Sequence, residues 1–205
     1  FTKVLDEVLN DTKFQILDGE STCKASKSIA RVHEEIFGSS IPLDLILATQ
    51  GEELSTSEWK KLKVPTNMSM PQQGKNIRMN KAILTYLSNL PITNDDDNVF
   101  TVGMDFTGPM GYMFAIKRVE DIYVVCRLST LIMPTYLYEL SSFVDTLDRL
   151  YAWRHHHLRL KDIVLPAIRK RDPQIFFFNV LGCSELIDGD ISPNMFLTPT
   201  HSREK

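Results

Sequence analysis

The chain has 205 residues, of which 43% are hydrophobic and 24% charged, with a formal net charge of −3 at pH 7. That length suits one domain, or one domain with an appendage, and supplies enough apolar residues for a sizeable core. So mild a charge gives no support for nucleic-acid binding, and no apolar run approaches the ~18–20 residues that span a bilayer.

Cys23, Cys126 and Cys183 are odd in number and far apart, with no C-x-x-C pair. They argue against a disulfide framework or a cysteine zinc site and for a reducing compartment. The chain begins with Phe1, and FTKVLDEVLN carries charges throughout, unlike a signal-peptide core. A soluble, cytoplasmic protein is expected.

Phe1, Val4, Leu5, Val8 and Leu9 recur at helical spacing, so the chain opens on an amphipathic helix. KFQILDGE then reads as a strand running into a turn at Asp18-Gly19. A second helix is expected from Ser26 or Ser28 to Gly38, with Ile29, Val32, Ile36 and Phe37 on its apolar side. IPLDLILAT is short and apolar, and periodicity does not separate a strand from a helix there; the reading leans to helix. Thr56 or Ser57 is expected to cap a short helix through Trp59 and Leu62. PTNMSMPQQG (65–74) has two prolines, a glycine and no apolar period, and reads as a linker or mobile loop. A helix follows from about Lys75 to Asn89, then an acidic turn at Asn94–Asp97 that lacks the ligand spacing of a Ca²⁺ loop.

Three strands come next: NVFTVGMDF, YMFAIKR and IYVVCRLS, separated by TGPMG and VED. Each alternates, with Phe100, Val102, Met104 and Phe106 on one side of the first and Tyr112, Phe114 and Ile116 on one side of the second. Ile122, Val124, Cys126 and Leu128 do the same on the third. Short connections favour an antiparallel meander. The helix YLYELSSFVDTLDRLYAWRHHH is expected to cover it through Leu137, Leu140, Val144, Leu147 and Tyr151, widened by Phe143 and Leu150. After His157, RLKDIVLPAIRKRDP reads as a helical stretch, kinked or begun at Pro166. QIFFFNVLG reads as a strand, and residues 188–205 as an irregular tail. The fold class expected is α+β: a three-stranded antiparallel meander covered by a long amphipathic helix, with a helix-rich N-terminal half. Residues 1–64 would form a helix-rich segment, 75–182 the core and 183–205 an irregular tail.

No complete catalytic, cofactor or metal signature is present, so the expectation is a protein that is not an enzyme and holds no cofactor. His155, His156 and His157 are consecutive, and neighbours on a helix point about 100° apart, so they read as an exposed polar helix end and not as a metal site. Cys126 reads as a buried small hydrophobe, and Glu120-Asp121 as a turn. Between Arg154 and Arg171 six Arg or Lys residues stand against one acid, Asp162. That lopsided stretch is either a solvated helix face or a patch for an acidic protein segment or for phosphate backbone, with protein ranked above nucleic acid because no stacking platform accompanies it. Candidate partner contacts are Tyr123, Val125, Arg127, Arg154, Arg159 and Arg171.

VGMDFTGPMG resembles the first strand of retroviral-type integrases, which implies a metal-binding role for Asp105 in an RNase H-like site. The Asp-Asn-Gly-like turn and later glutamate of that pattern are missing, and Gly108-Pro109 is more simply a hairpin turn. AILTYLSNLP, FTVGMDFTGPMGYMFAIKR, IYVVCRL and YELSSFVDTLDRLYAW resemble, in order of elements, the second half of type III secretion chaperones and YbjN-like domains over residues 76–157. Size and general character are also similar to adaptor subunits of type IVB secretion coupling complexes. The resemblance implies a non-catalytic adaptor or chaperone that binds an extended or helical protein segment within a larger assembly. The alternative is a nucleic-acid-binding or integrase-derived domain.

Overall fold

The computed structural model describes residues 2–18, 44–60, 62, 66–92 and 98–180. Within them the elements run α1 (Thr2–Val8), β1 (Gln15–Asp18), β2 (Leu45–Thr49), β3 (Glu52–Lys60) and α2 (Thr66–Ser88). β4 (Phe100–Thr107), β5 (Met110–Val119), β6 (Ile122–Ile132), a 3₁₀ turn (Leu137–Glu139) and α3 (Leu140–Val180) follow. All six strands form one sheet in sequence order. Every neighbouring pair is antiparallel except β3 and β4, which run parallel and are joined through α2.

The class is α+β, but the architecture corrects the expectation: the sheet is mixed and six-stranded, and the described part of residues 1–64 is mainly strand. IPLDLILAT contains β2, whose five residues are all buried. The expected helix from Thr56 through Trp59 is β3, buried along most of its length. Both strands lie inside the sheet with both faces covered, so neither shows the alternation that marks a strand with one wet face. Gln50 and Gly51, with φ of 50° and 85°, make the tight β2–β3 turn. Two positive φ values are what a type I′ hairpin loop needs. The expected linker at 65–74 opens α2. The expected helix at 26–38, the acidic turn at 94–97 and the tail at 188–205 lie outside the described residues.

One face of the sheet packs on α2 through Ile46, Leu54, Met79, Ile83, Leu87, Phe114 and Ile116. The other packs on α1 and the first half of α3 through Leu5, Val8, Leu47, Val102, Met104, Phe106, Leu150 and Trp153. The alternating sets of β4 and β5 therefore serve opposite faces. Farther along, Leu160, Val164, Ala167 and Ile168 of α3 join the first cluster, beside Leu87, Leu90 and Val99. One continuous helix thus ties the two layers together. It runs on through Pro166 to Val180, so the strand expected at QIFFFNVLG is helix in its described part.

The α3 stripe that meets the sheet is not the expected one. Leu150, Trp153, His157, Leu160 and Val164 are buried, whereas Leu137, Leu140, Val144 and Tyr151 are exposed. Two of the buried positions on that face, Thr146 and His157, are polar side chains admitted by hydrogen bonds: the Thr146 hydroxyl with the Ile132 backbone, His157 Nδ1 with the Trp153 carbonyl. A hydrophobicity count passes over such residues.

The parallel β3–β4 pairing begins at Ser57 and Met104, leaving Thr56 without a strand partner on that side. Asn80 of α2 fills the place: its carbonyl accepts from Thr56 N at 3.0 Å, and its amide donates to Thr56 O at 3.0 Å. Asn76 donates to Met104 O at 2.9 Å and accepts from the Thr56 hydroxyl at 2.9 Å. Gly103 makes room, because a Cβ there would stand 2.7 Å from Thr56 O and 2.8 Å from Asn80 Nδ2. Asn80→Ala strands two buried backbone groups, and urea unfolding is expected to show a loss of about 2–4 kcal/mol. A loss below about 1 kcal/mol would remove this bridge from the account of the seam.

Candidate protein-binding edge

β6 is the last strand of the sheet, and its far side pairs with no other strand among the described residues. Ile122, Val124, Val125, Leu128 and Ile132 are all exposed, Ile122 to 63%. The expectation that Ile122, Val124, Cys126 and Leu128 face the core is corrected, and with it the reading of Cys126 as buried: its thiol is exposed. The cause is the path of α3. It starts beside the end of β6 and crosses to the start of β4, where Trp153 Nε1 donates to Val102 O and His156 Nε2 lies 3.0 Å from Phe100 O. The first half of β6 is left uncovered. Leu128 is the extra residue of a bulge opposite Met113 and Phe114, which breaks the alternation.

α3 also seals one end of the edge. The Thr146 hydroxyl holds both the N–H and the carbonyl of Ile132, each at 3.0 Å, and Arg149 donates to Thr130 O. That leaves Ile122 to Leu128, about 23 Å of strand, as the open part. Exposed apolar edges of this length are templates for an added strand, and natural folds usually break them with charges or proline. Here the open part carries a single charge, Arg127.

Of the expected contact residues, Tyr123, Val125 and Arg127 come together on the face of β6 that looks towards α2. Tyr123 is half-buried, its hydroxyl 2.8 Å from Thr85 Oγ1 and its ring beneath the Lys81 ammonium at 4.7 Å. Val125 is exposed, and Arg127 lies over the Tyr112 ring at 5.0 Å and donates to Thr130 Oγ1. The other three lie elsewhere and form no common patch. Arg154 is half-buried on α3. Arg159 is exposed and lines an open cleft of about 650 Å³ with Asn98, Phe100, His155 and His156. Arg171 is half-buried beside Tyr86 and Glu52, 3.8 Å from the Glu52 carboxylate. Tyr86 also donates to Glu52, and burial foremost pushes its phenol up to about 12.

The histidine run is not a polar helix end. His155 is exposed, His156 stacks on Phe100 at 4.1 Å, and His157 is fully buried against Trp153 at 4.6 Å. Burial pushes His156 down to about 4, helped by the Arg159 charge, and His157 down to about 3. Among the described residues no group of three His, Cys, Asp or Glu side chains is placed to hold a metal ion. Asp105 is buried under α2, with Lys60 Nζ donating to its two oxygens at 3.0 and 3.2 Å and the Tyr112 hydroxyl donating at 3.3 Å. Beside it Lys75 Nζ lies 2.9 Å from Glu58, whose carboxyl burial raises above its ordinary value. The arrangement neutralises Asp105 within the protein, and its evident work is to hold β3, β4 and β5 in register.

Sequence reasoning missed Thr146 and Arg149, because a threonine and an arginine on a helix give no sign that they will cap a strand edge. It also missed the turn Tyr136–Leu137–Tyr138, whose three large side chains stand in solvent, although three such residues beside Pro134 were a visible signal.

Two outcomes follow. Asp105→Asn leaves the buried Lys60 ammonium without its carboxylate, and chemical denaturation is expected to show a loss of about 3–5 kcal/mol. For the histidines, a folded pKa below the ordinary 6.5 means that the unfolded chain binds more protons between the two values. Stability is therefore complete above about pH 6.5 and falls as the pH drops towards 4 and 3. Denaturation at pH 7.5 and pH 5 is expected to differ by roughly 1–2 kcal/mol from His157 and by a similar amount from His156, and His157→Gln is expected to remove its own share, about half of the difference, and leave that of His156.

None of the described helices is long and apolar enough to cross a membrane. No protein-family model, curated protein or solved structure matches the chain.

Proposed function

We propose that the chain is a non-catalytic adaptor or chaperone that takes an extended segment of a partner protein as an added strand on β6. The observation that carries this reading is the open edge from Ile122 to Leu128, apolar except for Arg127 and exposed except at Tyr123. Strand addition draws affinity from main-chain hydrogen bonds and selectivity from alternate side chains. On the side towards α2 the incoming segment meets Tyr123, Val125 and Arg127, which favours an apolar residue followed two positions on by an acid. On the other side it meets Ile122, Val124 and Cys126. The cap at Thr130–Ile132 fixes where the added strand must stop. The resemblance of residues 76–157 to secretion chaperones supports placing this module in a secretion assembly, acting on a coupling complex or its effectors.

The test is capture of partners on immobilised chain from the source organism, with quantitative mass spectrometry of what each variant retains. Val125→Asp and Arg127→Glu sit at exposed positions, and circular dichroism establishes that each variant is folded. Each is expected to lose at least about fivefold of the proteins held by the wild type, while Lys170→Glu, exposed at the far end of α3, retains them. Equal retention by all three folded variants would sink the proposal.

A further inference from the structure

The stripe Leu137, Leu140, Val144, Leu147 and Tyr151 has no work in the core. Leu137 is 86% exposed, Leu140, Val144 and Tyr151 are each half exposed or more, and only Leu147 is half-buried. The steps along it are three, four, three and four residues. That is the spacing of a coiled-coil seam, about 20 Å long, and it fits the ridge of another helix; an extended strand presents side chains every second residue and does not match it. At its head stands a firm apolar knob. The Glu139 carboxylate accepts the Thr135 and Tyr136 amides at 2.7 and 3.2 Å, and the Tyr136 and Tyr138 rings stack with centroids 5.5 Å apart. Rigid tyrosines with one wet end are favoured anchors of protein interfaces.

Charge selects among helices. Residues 137–152 contain three acids, Glu139, Asp145 and Asp148, against one base, Arg149. Arg149 is turned to the Thr130 carbonyl. A second copy of the chain would present a helix of the same acidic character, whereas a basic helix meets opposite charge in Asp148, which flanks the seam, and in Asp145 farther round the helix. We infer that the outer face of the 3₁₀ turn and of α3, from Leu137 to Tyr151, is a docking seam for a basic amphipathic helix of a partner protein, with Leu or Ile at heptad spacing and Lys or Arg beside them. It is separate from the β6 edge and from the proposal made for that edge.

Three synthetic peptides of equal length serve as probes in fluorescence anisotropy at about 0.15 M salt, where long-range attraction is screened. One is a Leu/Lys helix with heptad spacing, one the same helix with Glu for Lys, and one a Leu/Lys strand with strict alternation. The basic helix is expected to bind at least about tenfold more tightly than the other two. Leu140→Ser with Val144→Ser is expected to weaken it by about tenfold or more, and Asp145→Lys with Asp148→Lys to reverse the preference between basic and acidic helices. Val125→Asp on β6 is expected to leave binding unchanged, so failure here and failure of the strand-addition reading are distinguishable. All substituted positions are exposed, and circular dichroism and thermal melting establish that each variant is folded. Equal binding of the strand peptide, or undiminished binding by the serine variant, would overturn the inference. So would a homodimer, measured by ultracentrifugation, that the serine variant dissociates.

Discussion

The parallel seam between β3 and β4 is the constraint on which the rest of the structure depends. Two antiparallel meanders, β1–β2–β3 and β4–β5–β6, become one sheet only there, and the pairing that joins them is a few residues long. α2 has to leave one meander, cross the sheet and deliver the chain to the other. Its side chains Asn76 and Asn80 complete the backbone bonding that the strands leave unfinished, and Lys60–Asp105 with Lys75–Glu58 pin the other end. Buried polar groups of this kind add little net stability when satisfied and cost several kcal/mol when broken. Their effect is to make one register far better than its neighbours.

α3 follows from that arrangement. With α2 on one face of the sheet, the other is left to α1 and α3, and α3 lies across it diagonally to reach Phe100 and Val102. The diagonal has two results. It uses Thr146 and Arg149 to close one end of the β6 edge, and it leaves Ile122 to Leu128 bare. A helix with apolar residues on two flanks can bury only one of them against a single sheet. The other flank then stands outward, and the knob at Tyr136–Tyr138 lies at its start. Both exposed surfaces, the strand edge and the helix seam, thus come from one packing choice.

The strands β4, β5 and β6 were legible because they alternate and are joined by tight turns at Gly108-Pro109 and Glu120-Asp121. β2 and β3 were not, because central strands covered on both faces lose their alternation, and Trp59 and Leu62 happen to stand three apart. Tyr123, Val125 and Arg127 were found as a group by strand alternation alone. Arg154, Arg159 and Arg171 were grouped with them by charge in the sequence, and the helix separates them into three surroundings. The histidine run misled for a related reason: adjacent histidines point in different directions, and one of the three, His157, points into the core.

By itself the sequence determined the local elements whose signal is periodic: a meander, a long helix, an opening amphipathic helix, and the absence of any complete catalytic motif. It also determined that the final helix carries apolar residues at heptad spacing. Only the tertiary structure decided which stripe of that helix is buried, that β2 and β3 join the sheet with β3 parallel to β4, and that β6 is an edge. The reason is physical. Periodicity records that a residue prefers an apolar neighbour, whereas the neighbour is chosen by competition among all the apolar surfaces, and hydrogen-bonded polar residues such as Thr146, Asn80 and His157 settle that competition.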